Sequence, residues 1–251
     1  MYDRRLRAGL PGLLVPIALL CAIALAAAAG EGTEQPATPA FEPPPGLRPG
    51  WYAMIRTTMG DVLARLLPEQ APQSVAHFAG LARGTLPWVD PLTGETVRGP
   101  FYDGMMIHTV NAGRMFETGD AGSMGRGTPM LFVPETEGTG PVNFNQSYVL
   151  GMTRMAGARV SASRFFVTVA SQPALNGESP CFGVVVDGRE TVFNISQVKA
   201  YSNQRPITDV FVERIYVFSV GDVAPLPEPQ VYEPRRFDVG PREGSAPPPA
   251  R

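Results

Sequence analysis

Two imidazoles, His77 and His108, are the only histidines in this 251-residue chain, and their surroundings decide how much chemistry the sequence allows. His77 falls between core positions of a helical stretch, which suits a solvent-facing or locally bonded ring rather than a catalyst. His108 lies in the run PFYDGMMIHTVNAGRMFETGD, residues 100–120, beside Thr109, Arg114, Met115 and Glu117. A serine hydrolase is excluded, because no G-x-S-x-G elbow exists for either imidazole to serve. Zinc is excluded too: two histidines and Cys181, without paired spacing, cannot make a tetrahedral site. Met105, Met106, Met115 and Met124 suit core filling and pocket lining better than a soft metal. Asp103 and Asp120 are carboxylates already explained by turn chemistry, which leaves Glu117 without an acid/base partner. What remains is non-covalent: polar and cationic groups set beside apolar side chains.

The elements that must position these groups follow from punctuation and period. Phe101-Tyr102-Asp103-Gly104 is a turn cluster, Met105 to Val110 an apolar strand, and Asn111-Ala112-Gly113 a second turn. Upstream, Trp51–Thr57 and Val62–Leu66 predict two strands around Met59-Gly60-Asp61. Residues 68–84 carry Val75, Phe78, Leu81 and Ala82 at helical spacing, with Pro72 in the first turn and Gly84 as the stop. Residues 88–98 predict a loop, and Ala121–Pro129 a Gly-rich loop that lacks the Gly-Lys-Ser/Thr of a phosphate cradle. Strands are predicted at 147–152, 164–170, 181–186 and 207–220, and a second helix at 190–199. Two helices among many short strands predict a mainly β fold, a closed antiparallel barrel with a helix at each open end.

Composition limits the partners. A hydrophobic content of 44% supports one substantial core, and a net charge of −2 argues against nucleic acid. Lys199 is the only lysine. Arg4, Arg5 and Arg7 ahead of apolar residues 10–29 have the form of a signal peptide with a small-residue cleavage site at Ala27-Ala28-Ala29. Export to the periplasm or beyond is expected, with retention at the membrane through an uncleaved N-terminus, or through a lipidated Cys21, as the alternative. Residues 30–50 are a Pro/Gly-rich linker, 51–223 the single domain, and 224–251 a Pro-rich tail expected to be disordered. Cys181, the lone cysteine of the mature chain, is expected to be a buried small hydrophobe.

Several ordered motifs then carry a resemblance. Residues 101–104 (FYDG), Ile107-His108 with Val110, and Met115 followed by Gly119-Asp120 keep the internal spacing of the cyclophilin family of peptidyl-prolyl cis-trans isomerases. Thr57–Asp61 with Leu66-Leu67-Pro68 looks like that family's opening hairpin, and Ala71–Val75 through Gly84 like its first helix. Gly151–Arg154, Ser161–Val167, Leu175-Asn176-Gly177 and Phe182-Gly183 with Asp187-Gly188 extend the match over residues 51–223. The resemblance implies the cyclophilin-like β-barrel, no cofactor and no metal. It further implies a monomer that engages proline-containing polypeptide segments.

It also implies a site, and there this chain departs from the pattern. The family's arginine after the histidine is Thr109, its phenylalanine is Arg114, and its glutamine is Glu117. The glutamine before the Phe-Phe pair is Arg164, the socket tryptophan is Ala174, and the socket histidine is Ser179. His108, Met115, Phe166, Leu175 and Phe182 match, as does Arg154. Isomerisation needs a dry apolar socket and a donor that favours the twisted imide. The expectation is therefore a socket floored by Met115, Phe166, Leu175 and Phe182, with Arg114 replacing the missing guanidinium and Glu117 orienting it. In that reading Thr109 is the weaker donor at the family position, and Arg154 and Arg164 are poorer substitutes. The alternative is a surface Arg114–Glu117 pair on a catalytically weak module that only binds proline-containing peptides.

Overall fold

The computed structural model describes residues 41–91, 93–122, 132–134, 136–155 and 159–230. The expected signal peptide, most of the linker, Met124 and the greater part of the Gly-rich loop lie outside them. Strands β1 (Gly50–Thr57) and β2 (Gly60–Leu66) form a hairpin closed by Thr58-Met59. The Thr57 hydroxyl locks that turn, donating to the Gly60 carbonyl at 2.7 Å and accepting from the Met59 amide at 3.1 Å.

Helix α1 (Pro72–Arg83) starts on Pro72 and stops on Gly84, which takes the left-handed conformation at φ 71°. A Cβ there would lie 2.4 Å from the Gly99 backbone carbon, so the close approach also demands glycine. Ala71 cannot cap the first turn, and the cap comes instead from far along the chain. The Glu137 carboxylate accepts from the Gln73 and Ser74 amides at 2.8 and 2.9 Å and from the Ser74 hydroxyl at 3.0 Å. A negative group on a helix N-terminus satisfies orphan donors and opposes the helix dipole. Glu137→Ala is therefore expected to cost about 1–2 kcal/mol of stability, read as a lower denaturation midpoint. An unchanged midpoint would show that the cap contributes nothing.

The remaining strands are β3 (Trp88–Val89), β4 (Thr96–Val97), β5 (Met105–Met106), β6 (Thr109–Asn111), β7 (Met115–Thr118) and β8 (Phe132–Val133). They continue with β9 (Val149–Arg154), β10 (Val160–Thr168), β11 (Cys181–Asp187) and β12 (Phe211–Val220), with helix α2 (Arg189–Ser196) before the last. The stretch expected to be a plain loop at 88–98 holds the β3–β4 ladder, its Trp88 set edge-on to Phe101. The main sheet is antiparallel, in the order β5-β12-β1-β2-β11-β9-β10-β7-β6, with β8 beside β10.

The predicted single strand 105–110 is broken at Ile107-His108, and that break closes the barrel. Its first half pairs with β12 and its second half with β7, so one segment ties the two edges of the sheet together. Ile107 donates to the Val210 carbonyl at 2.8 Å, whereas the next amide, His108, donates to Glu117 at 3.1 Å. Such closure removes the exposed edges of an open sheet. Inside, Phe78 of α1 meets Phe165 at 5.3 Å and Phe182 at 5.2 Å between ring centroids, with Tyr102 against both Phe78 and Phe165.

The folded unit is wider than 51–223. Phe41 stacks on Tyr216 with centroids 4.7 Å apart, and Leu47 joins the same cluster, so the end of the presumed linker is part of the domain. On the other side the Trp51 indole donates to Ala224 at 2.9 Å, and the Gln230 amide donates to the Gln73 side chain at 2.8 Å. Pro-rich composition hid these contacts, because isolated apolar residues in such segments show no period.

Candidate active site

Strand alternation separates the site from the core. Thr109 lies opposite Glu117, Asn111 opposite Met115, Phe166 opposite Glu117 and Thr168 opposite Met115. Directly paired residues share a face, as do residues two apart on one strand. Thr109, Asn111, Met115, Glu117, Arg164 and Phe166 therefore stand on one face of β6, β7 and β10. Val110, Phe116, Phe165 and Val167 point the other way, into the main core.

The apolar part of this face is a separate cluster of Phe144, Val149, Phe166 and Cys181, with Met115, Val142, Leu175 and Val184 packed on it. Phe144 and Phe166 have centroids 5.5 Å apart. Gly151 makes their contact possible: a Cβ there would sit 2.3 Å from the Phe166 ring tip and 2.6 Å from that of Phe144. Backbone bonds hold the loop that brings Phe144 in. Gln172 donates to the Phe144 carbonyl at 2.7 Å, and the Phe144 amide donates to the Asn176 side chain at 3.0 Å. Three of the four expected floor residues, Met115, Phe166 and Leu175, thus come together. Phe182 does not, because β11 alternates: Cys181 faces this cluster and its neighbour Phe182 is fully buried in the barrel core. Phe144, in an irregular loop, had no pattern by which the sequence could announce it.

The polar part differs from the expectation in one decisive respect. Arg114 does not pair with Glu117. It sits exposed at the turn before β7 and donates to the Gln172 side chain at 2.8 Å. Residues three apart on a strand face opposite sides, so the spacing that would join them on a helix separates them here. Glu117 is held by Arg164 instead, whose Nε and Nη2 both donate to Oε1, at 2.9 and 2.5 Å. Period two from Phe166 would have placed Arg164 on this face. Thr109 keeps its hydroxyl 2.9 Å from Nδ1 of His108. Arg154 lies beside the Leu175–Cys181 turn, bonded through Nε to the Glu178 carbonyl and 3.3 Å from its carboxylate. Ser179 is buried in the same turn, its amide donating to Leu175 at 3.1 Å.

Both histidines are buried. His77 is held by its own helix, with Nδ1 2.9 Å from the Gln73 carbonyl; a carbonyl only accepts, so Nδ1 carries the proton. His108 lies under the ion pair, its Nε2 3.7 Å from Glu117 Oε1. Burial lowers the pKa of each from the ordinary 6.5; for His108 the Glu117 charge opposes this and Arg164 reinforces it. The unfolded chain therefore takes up protons on both rings before the folded chain does. Stability from the two neutral imidazoles is fully present above about pH 6.5 and lost as pH falls below it. The melting temperature should accordingly drop on acidification through this window, and less steeply in His77→Gln. A melting temperature that rises there would contradict the assignment. Burial likewise pushes the Cys181 thiol up to about 12, as befits a core residue without reactivity.

No group of three or more His, Cys, Asp or Glu side chains suited to a metal occurs among the described residues. The arrangement sets Met115 and Leu175, both partly buried, on the cluster that holds Phe166, beside a cation–carboxylate pair and the Thr109 hydroxyl.

Comparison with known proteins agrees over the same stretch. The family model "Cyclophilin type peptidyl-prolyl cis-trans isomerase/CLD" matches residues 52–217. Peptidyl-prolyl cis-trans isomerase B of Streptomyces anulatus is 37% identical over 174 residues, 66% of this chain and 95% of that protein. Peptidyl-prolyl cis-trans isomerase A of Mycobacterium tuberculosis (strain H37Rv) is 36% identical over 172 residues, 66% of this chain and 91% of its own. A crystal structure of a Cryptosporidium parvum cyclophilin-type isomerase, obtained in the presence of the dipeptide Ala-Pro, superposes with a TM-score of 0.56. It is 24% identical, with coverage of 67% of this chain and 99% of that one.

Proposed function

The chain belongs to the cyclophilin-type peptidyl-prolyl cis-trans isomerase family, and from that premise we propose that its isomerase site is the outer face of β6, β7 and β10, acting on X-Pro bonds of exported polypeptides. The observation that carries this reading is the shared face on which Met115 and Phe166 adjoin Glu117, Arg164 and Thr109. The reaction breaks no covalent bond. Its barrier of roughly 18–20 kcal/mol is amide resonance, so the catalyst binds the twisted imide better than the planar one. A proline ring placed against Phe166 and Met115 leaves the imide beside the Glu117–Arg164 pair and the Thr109 hydroxyl.

Export is supported by the basic then apolar N-terminal sequence, which lies outside the described residues. No helix among the described residues is long and apolar enough to cross a membrane. N-terminal sequencing of the chain recovered after export from a bacterial host should begin near residue 30; recovery only in the cytoplasm would overturn this part. Turnover of a proline-containing tetrapeptide by the native chain tests the site reading. Because Thr109 is neutral and engaged with His108, a second reading keeps the fold without turnover, as a monomeric module that binds proline-containing segments. Saturable binding of an Ala-Pro peptide with no acceleration over the uncatalysed rate would favour it.

A further inference from the structure

We infer that Gln70, at the entry to α1, is a positioning residue for the apolar part of the site: its side-chain amide holds the 138–144 loop and, through it, Phe144 against Phe166. This role rests on the outer-face site proposed above. Phe144 is 1% exposed, its ring tilted 34° to that of Phe166 with centroids 5.5 Å apart, so the place of Phe144 limits the place of Phe166. Residues 138–144 belong to no strand or helix, so no backbone ladder fixes that place.

Gln70 fixes it instead. Its Nε2 donates to three backbone carbonyls, those of Val142 at 2.8 Å, Cys181 at 3.0 Å and Gly138 at 3.1 Å. An amide nitrogen carries two hydrogens, so three acceptors use its donor capacity fully, and the side-chain oxygen cannot take its place. The Gly138 amide donates back to the Gln70 carbonyl at 3.1 Å, and the Gln70 amide donates to Leu67, just past β2, at 3.1 Å. Gln70 thereby ties both the loop and the first residue of β11 to the frame of β2 and α1. The fit is close: a Cβ on Gly140 would lie 2.1 Å from Gln70 Oε1. Two of the three acceptors lead straight to the site. Val142 and Cys181 are members of the cluster that holds Phe144 and Phe166, and Phe144 is two residues beyond Val142. The bonds from Gln172 and to Asn176 hold Phe144 itself, whereas Gln70 holds the chain that delivers it.

The test is a double-mutant cycle in the full chain, read as isomerisation of a proline-containing tetrapeptide at a temperature where circular dichroism shows every variant folded. An apolar wall touches the planar and the twisted imide alike. In Q70L kcat/KM should therefore fall about tenfold, with KM rising and kcat unchanged. F144A should lose about as much, and Q70L/F144A no more than about twofold beyond F144A, because Gln70 acts through Phe144. A lower melting temperature alone produces neither the KM shift nor this non-additivity. Where Q70L does not fold, Q70A, in which water can reach the three carbonyls, carries the same comparison. If the native chain binds the tetrapeptide without turnover, the cycle is read in Kd with the same expected ratios. Q70L within about twofold of native, or additive losses near 100-fold in Q70L/F144A, would overturn the role of Gln70 while leaving the site reading intact. A native chain with neither turnover nor binding would strike that site reading itself, and this role with it.

Discussion

Phe166→Ala is expected to lower kcat/KM on a proline-containing peptide by roughly 100-fold, equivalent to about 3 kcal/mol of transition-state binding. The Phe166 ring is the meeting point of the outer cluster, 5.5 Å from Phe144 and adjoined by Met115 and Leu175. A proline ring seated there is desolvated on one face by an aromatic surface, and alanine would leave a water-sized hollow in its place. The residue is buried in this outer cluster, so its truncation also costs about 3–5 kcal/mol of stability, and the activity is compared at a temperature where melting and circular dichroism show the variant folded. Phe166→Leu retains much of the area and should lose only about tenfold. Activity in folded Phe166→Ala within about threefold of native would remove the apolar face from the mechanism.

Gly119→Ala should destabilise the domain severely. Gly119 has φ +88°, and a Cβ there would lie 2.1 Å from the Ser163 carbonyl oxygen and 2.9 Å from Cα of Arg164. The left-handed backbone alone costs a side chain about 1–2 kcal/mol. The clash is with backbone, so β10 itself must move. That carbonyl also accepts the buried Tyr102 hydroxyl at 2.9 Å, and the Ser163 hydroxyl donates to Gly119 at 3.0 Å. A total near 4–5 kcal/mol follows, or a fall in melting temperature of about 10–15 °C. Gly94→Ala separates the two causes: φ is +73° with nothing within 4 Å of the new methyl, so only the strain of about 1 kcal/mol remains. Equal losses in the two variants would mean that the close approach at Ser163 is not limiting.

The sequence carried the elements well and the site by halves. Pro72 and Gly84 bracketed α1, and the alternating strand at Arg164–Ala170 corresponds to β10, because these signals are local. The break at Ile107-His108 was not legible, since nothing in an apolar run says that its halves pair with different strands. The same limit governed the charges. Glu117 lies near Arg114 in sequence but meets Arg164, 47 residues on, because the β7–β10 register decides which side chains meet. Phe182 adjoins Leu175 in the motif order, yet alternation along β11 turns it inward. Identity of residue types survived the reading; facing direction did not.

Gly50 at the start of β1 pairs with Val220 at the end of β12, so the two ends of the barrel leave from neighbouring strands. Along the sheet, β10 is reached from β1 only after β2, β11 and β9. Cargo fused before Phe41, which stacks on Tyr216 of β12, would therefore be attached to the opposite wall from Phe166. Bulky additions of this kind should leave a client polypeptide an unobstructed approach.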